Sequence, residues 1–313
     1  MATHELSEAD ALKQTILKDY PRLGPDSRFR FRCHSGLDCF NRCCADVNIV
    51  LTPYDVVRLR RRLSLGSTEF MVEHTVRPFT KEQKIPVLLL KMRDDEAKTC
   101  PFVTAQGCSV YADRPWACRM YPVGVASSQT RTRAGEEFYF VLQEDHCHGH
   151  GGAAEPEGRA GCECGRGGVG TPAALPTGRR QSAEPPSGDR EWSIAEWMDD
   201  QGVADYDAFG ELFKEVNLHP MLLDGPPLEP RKMDLYFMAC YDLDRFRRFV
   251  FESRFLQTFD LAADHVEQMR TDDEALLRFG LDWLRFALFA EPAVKVNPKV
   301  LEAKRQALEA QKR

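Results

Sequence analysis

Apolar positions along this chain follow two patterns: short continuous runs, and longer stretches in which they return at helical spacing. Residues 48–51, 87–92 and 138–142 are rich in apolar, β-branched or aromatic side chains and predict short strands. Between the first two, Thr52, Pro53 and Asp55 carry the signals that start a helix: an N-cap hydroxyl, a proline in the first turn and a carboxylate at the capping-box position. Val56, Val57, Leu59 and Leu63 follow at helical spacing, and a second start stands at Ser67 before Phe70 and Met71.

Helical spacing dominates from residue 191 to 313. Ser193 and Glu196 predict a capping box ahead of Trp197 and Met198. Thr271 and Glu274 predict another, ahead of Leu276, Leu277, Leu281, Trp283, Leu284 and Leu288. Leu243, Phe246, Phe249, Val250 and Leu256 form an apolar stripe of the kind that fills a core, and the tail from Lys299 reads as an exposed helix. Residues 149–190 break the pattern: they hold eleven of the 21 glycines, five prolines and no Phe, Trp or Tyr. Such a segment cannot bury enough apolar surface to order itself, so it reads as a disordered insertion. The chain thus divides into an N-terminal helical segment (1–27), a cysteine-rich domain (28–148), the insertion (149–190) and a helical C-terminal region (191–313). The expected fold class is α+β, an irregular cysteine-rich module with a few short strands packed on a mainly helical C-terminal region.

At 313 residues the chain can bury a sizeable core, so its cysteines are not needed as a disulfide scaffold. A formal net charge of -6 argues against nucleic acid as the main partner. The basic run Arg58, Arg60, Arg61 and Arg62 reads as a solvated helix face. No apolar run is long enough to span a bilayer, and the first residues mix acids and bases without the apolar stretch of an export signal. The expected setting is cytoplasmic and reducing, with no membrane, no nucleic acid and an unidentified protein partner left open.

Eight of the eleven cysteines lie between Cys33 and Cys147. Cys33, Cys39, Cys43 and Cys44 form one cluster, with Gly36 and Asn41 placed to curl the loop; Cys100, Cys108, Cys118 and Cys147 follow. Thiolates are soft metal ligands, and eight of them make either two four-ligand sites or one such site with auxiliary thiols. Extended backbone would turn the vicinal Cys43 and Cys44 to opposite sides, so either they serve different sites or one of them is packed. His34, His146, His148 and His150 flank the candidates and could replace a cysteine at zinc or iron, though each alone reads as exposed or as supporting a ligand. Arg114 and Arg119, beside Pro115, Cys118 and Pro122, could offset thiolate charge or join a surface salt bridge with Asp113. Cys162 and Cys164 read as incidental thiols of the insertion, and Cys240 as a core residue.

The strings CFNRCC, LTPYDVVRL, CPF and GCSVYADRPWACRMYP, with a trailing cysteine, resemble the YkgJ-type cysteine-cluster family, described as a zinc- or iron-chelating domain. The resemblance implies metal ligands at Cys33, Cys39, Cys43, Cys44, Cys100, Cys108 and Cys118, with Cys147 an eighth. The first pair is spaced more widely here than in the family's pattern. A similar module in flagellin lysine N-methylase implies one alternative, a metal-dependent enzyme that modifies protein. A second alternative is a non-catalytic module in which zinc fixes the fold. The leading expectation is a metalloprotein holding an iron-sulfur cluster, preferred over zinc because the loop is thiolate-rich but lacks paired zinc knuckles.

Overall fold

The computed structural model describes residues 20–78, 84–127, 129–150 and 190–311. The N-terminal helical segment up to residue 19, most of the insertion, and Cys162 and Cys164 lie outside the described residues. The fold is α+β. Its strands form four two-stranded antiparallel sheets, and the helices concentrate in the C-terminal region.

Chain order explains how the parts join. Residues 20–27 are turns and an isolated bridge from Leu23 to Tyr139 rather than helix. Strand β1 (Arg28–Arg30) follows, then a 3-10 turn (Arg42–Cys44), helices α1 (Pro53–Leu63) and α2 (Ser67–His74), and the hairpin pair β2 (Thr75–Val76) and β3 (Leu89–Leu90). The tight pair β4 (Val103–Thr104) and β5 (Gly107–Cys108) precedes the short helix α3 (Trp116–Met120), and β6 (Val123–Ser127) pairs with β7 (Glu137–Val141). The expected strand at 48–51 is reduced to a single bridge, Val50 to Leu89.

Beyond the insertion, β8 (Glu191–Ser193) returns to pair with β1 in the register Arg28 to Ser193, Phe29 to Trp192 and Arg30 to Glu191. The helical region then runs through α4 (Ile194–Asp200), α5 (Ala204–Asn217), α6 (Pro220–Leu223), α7 (Pro230–Cys240), α8 (Leu243–Phe251), α9 (Ala263–Thr271), α10 (Asp273–Phe289) and α11 (Pro298–Gln311). Helix α10 is central, with α1, α5, α7, α8 and α9 around it. No helix among the described residues is long and apolar enough to cross a membrane.

The helix starts show local chemistry at work. Thr52 Oγ1 accepts from Asp55 N at 3.2 Å while Asp55 Oδ2 accepts from Thr52 N at 2.7 Å, a complete capping box. Ser193 and Glu196 do the same for α4. The expected start at Ser67 stands, and the box expected at Thr271 is corrected by one residue. Helix α2 has Gly66 at its cap position, because Asp244 Oδ2 accepts from Ser67 N at 2.6 Å and so supplies the missing acceptor from another helix. Helix α10 is capped by Asp272, which accepts from Glu274 N at 2.8 Å, while Thr271 ends the preceding helix.

Two hydrophobic cores form, and each draws on both sides of the insertion. The larger joins Leu51, Tyr54 and Leu59 to Phe209, Tyr236, Phe246, Leu277 and Leu284. The smaller joins Phe31, Met120 and Val123 to Trp192, Ile194 and Trp197. The basic run of α1 is therefore only partly a solvated face: Arg61 and Arg62 are exposed, but Arg60 is buried. Arg60 is buried against Asp273 and Asp244, Arg61 reaches Glu274 at 2.9 Å and Asp272 at 3.2 Å, and Arg58 holds Asp113 at 2.7 Å. Helix α1 lies between the cysteine-rich module and α10, so its arginines meet carboxylates where solvent was expected.

Candidate metal centre

The loop that carries the first four cysteines is folded by successive turns. Leu37 N donates to His34 O, Phe40 N to Leu37 O and Arg42 N to Cys39 O, at 3.1, 3.0 and 2.9 Å. Asn41 adopts the left-handed conformation, φ 70°, which its short polar side chain tolerates, and Cys44 N then donates to Asn41 O at 3.0 Å. Cys43 and Cys44 thus sit in a 3-10 turn and not in extended backbone, which overturns the geometry expected of them. The two thiols act on each other: Cys44 draws the Cys43 thiol down to about 7, and its own is pushed well up.

Long-range pairing gathers the other cysteines around this turn in two groups. Arg32 N donates to Gly149 O at 2.7 Å and holds the segment before Cys33 against the segment after Cys147. A Cβ on Gly149 would lie 2.7 Å from the Phe31 ring, so only glycine permits this approach. Although Cys33 is exposed as a residue, its thiol is pushed up to about 11, by burial first and then by the sulfurs of Cys43, Cys39 and Cys147. Cys33, Cys39, Cys43 and Cys147 are therefore neighbours.

The second group forms around Cys44. An isolated bridge joins Ala45 to Thr99, and Cys100 N donates to Cys44 O at 2.7 Å. The hairpin of β4 and β5 brings in Cys108, and α3 brings in Cys118 from the opposite side. Burial pushes the Cys118 thiol up to about 12, with the charges of Cys100, Asp55 and Cys108 adding to it. Burial likewise dominates at Cys44 after its bond to Cys43, and Cys100 and Cys118 are among its charged neighbours. Cys44, Cys100, Cys108 and Cys118 thus lie near one another, and because Cys43 also acts on Cys100 the vicinal pair stands where the two groups meet.

Amide donors to sulfur mark sites prepared for thiolate. His148 N donates to Cys39 Sγ at 3.3 Å. The amides of Phe102 and Val103 beside Cys100, and that of Val110 beside Cys108, lower those thiols. Such bonds favour the charged sulfur and oppose the effect of burial, which otherwise raises both thiols. The donor chemistry fits zinc or iron: eight soft sulfurs clustered around one turn, with a backbone amide donating to Cys39.

The polar surroundings settle several expectations. Arg114 and Arg119 are both buried and make no surface salt bridge; Asp113 is taken by Arg58. Arg119 donates to Gln201 O at 2.7 Å and Arg114 to Tyr111 O at 2.8 Å, with Gln201 Oε1 also in contact with Arg114. Burial pulls Arg114 below its ordinary value, while Cys118 and Cys108 act in the opposite direction. Positive charge therefore stands beside the second sulfur group. Asp55 is fully buried and accepts from Trp116 N at 2.7 Å, fixing the start of α3 to the start of α1. Its carboxyl is pushed up to about 6 by burial, against the pull of Thr52, Trp116 and Arg119. Tyr121 donates to Glu144 Oε2 at 2.8 Å.

The histidines differ from one another. His34 Nδ1 accepts from Gly36 N at 3.1 Å and stabilises the loop, and His150 packs on Phe31 with ring centroids 5.0 Å apart. His146 lies 3.6 Å from Glu144. His148 alone joins a convergent donor set: one donor atom each from Asp38, Cys39 and His148 lie within 4.8 Å of one another. Asp38 is absent from the sequence-based candidates; its place directly before Cys39, like that of His148 directly after Cys147, is the signal that could have suggested it. Cys240 is buried in α7 beside Tyr236, as expected of a core thiol.

Comparison with curated proteins gave no match, and neither did comparison with solved structures. The cysteine-rich module did give one, over a span that holds all eight clustered cysteines. Residues 32–148 of this chain match the model of the CxxCxxCC family, described as "Putative zinc- or iron-chelating domain".

Proposed function

We propose that this domain holds two metal centres side by side, one on Cys33, Cys39, Cys43 and Cys147 and the other on Cys44, Cys100, Cys108 and Cys118. The observation that carries the proposal is the 3-10 turn at Arg42–Cys44, with Cys43 among the first set of thiols and Cys44 among the second. Arg114 and Arg119 lie beside the second centre, where their charge offsets that of bound thiolates.

Iron-sulfur centres fit better than zinc. A zinc ion with bonds of about 2.3 Å holds its four sulfurs about 3.8 Å apart, whereas a cluster spreads them over separate irons. Among the described residues the convergent set within 4.8 Å is Asp38, Cys39 and His148, not three of the thiols. The wider spacing suits a cluster, and a reducing, cytoplasmic setting would keep the thiols available. The test is iron, zinc and acid-labile sulfide analysis of anaerobically purified protein, with its visible spectrum. Coloured protein with matched iron and sulfide supports the proposal, and colourless protein carrying zinc contradicts the cluster assignment.

A further inference from the structure

Asp38 and His148 lie outside both four-thiol sets, yet the fold brings them to Cys39. His148 Nδ1 and Asp38 Oδ1 are 2.5 Å apart, and His148 N donates to Cys39 Sγ at 3.3 Å. Exposure falls steeply across the three: the Asp38 side chain is 78% exposed, that of His148 33%, and Cys39 only 7%. Donor hardness falls along the same line, from carboxylate through imidazole to thiolate. A hydrated divalent cation arriving from solvent meets first the donors that can bind it while it keeps waters, and last a soft donor that belongs to the inner set.

We infer that Asp38, Cys39 and His148 form a loading site, where ferrous iron, for which Co2+ and zinc serve as probes, is captured and passed towards Cys33, Cys43 and Cys147 as iron for their centre. The inference rests on the proposal that those thiols hold a metal. Capture replaces the hydrogen bond between Asp38 and His148 with bonds from the cation to a carboxylate oxygen, an imidazole nitrogen and the Cys39 sulfur. The proton between His148 Nδ1 and Asp38 moves through solvent to His148 Nε2, so the imidazole stays neutral, and the Cys39 thiol proton leaves to solvent. Transfer inward keeps the bond to Cys39, breaks the other two and forms bonds to the inner sulfurs, whose protons also leave to solvent. The cation's charge does not change, so neither oxidant nor reductant is needed.

The test follows Co2+ uptake by full-length, reduced, metal-stripped protein through the sulfur-to-cobalt absorption band in stopped flow. D38N/H148Q should load about tenfold or more slowly than wild type and reach the same final stoichiometry, while D38E stays near the wild-type rate. Because the equilibrium is unchanged, the same double variant should release zinc to excess chelator more slowly by the same factor. The altered side chains are exposed or partly exposed, and circular dichroism checks that the fold is intact. Uptake by D38N/H148Q at the wild-type rate would overturn the inference. A fall in its final cobalt content would also do so, since the pair would then be permanent ligands. Wild-type protein that takes up no Co2+ on its thiols would instead overturn the metal assignment of those thiols.

Discussion

The amide of Cys100 donates to the carbonyl of Cys44 at 2.7 Å, and the neighbouring Ala45 and Thr99 form a bridge. Two segments far apart in sequence are thus stitched together at the point where their cysteines must share a centre. The stitch is short, and the sulfurs beside it are raised by burial and by each other's charge unless a metal compensates. Removing metal with a chelator should therefore speed amide hydrogen exchange at residues 44–46 and 98–100 far more than in α10. Equal protection at both places before and after chelation would show that metal does not hold this junction.

Gly149 is the tightest steric point beside the first centre. An added Cβ would meet Phe31 at 2.7 Å and the Arg32 carbonyl at 3.1 Å. Gly149→Ala should lower stability by about 1–3 kcal/mol and displace the Cys147 segment from Cys33. Metal content of the first centre should fall with it, which elemental analysis of the purified variant would show.

Asp55 ties two helix starts together through both carboxylate oxygens, accepting from Thr52 N and Trp116 N at 2.7 Å each. Burial raises its carboxyl from 3.8 to about 6. The folded state then binds a proton more tightly than the unfolded chain, so this group's stabilisation is complete below about pH 4 and is lost as pH rises through about 6. Denaturation of wild type and Asp55→Asn, which share every thiol, should show their stability difference moving against wild type by about 3 kcal/mol over that range. A difference independent of pH would mean that Asp55 does not titrate there.

Asp273 sits where three arginines meet. Burial pushes its carboxyl up, but Arg247, Arg60 and Arg61 outweigh that and hold it below its ordinary value. Its stabilisation is present above the unfolded value near 3.8 and is lost as pH falls through the lower folded value. Asp273→Asn leaves Arg60 buried against a neutral amide and should destabilise the protein by about 3 kcal/mol at neutral pH, measured by urea denaturation.

Legibility in sequence followed the range of the interactions. The boxes at Thr52 and Ser193 involve neighbours along the chain, and their chemistry was readable in advance. The start at Ser67 was readable too, although a carboxylate from α8 and no local side chain caps it, while at α10 the local signal missed the cap by one residue because Asp272 outcompetes Thr271. The arginines of α1 look like a solvated face until tertiary packing places carboxylates opposite them. Eight cysteines announced a metal, but their division into two sets depends on the left-handed Asn41 and on pairing across the fold. Asp38 and His148 stand 110 residues apart, so nothing local could join them.

The division of the vicinal pair is the central claim, and metal analysis of Cys43→Ser, Cys44→Ser and the double variant tests it most directly. Each single variant should lose about half of the bound metal, each from a different centre, and the double variant should lose nearly all. Mössbauer spectra, if iron is present, or cobalt-substituted spectra should show a different component missing in each single variant. Loss of the same component from both, or of all metal from either alone, would contradict two centres divided between Cys43 and Cys44.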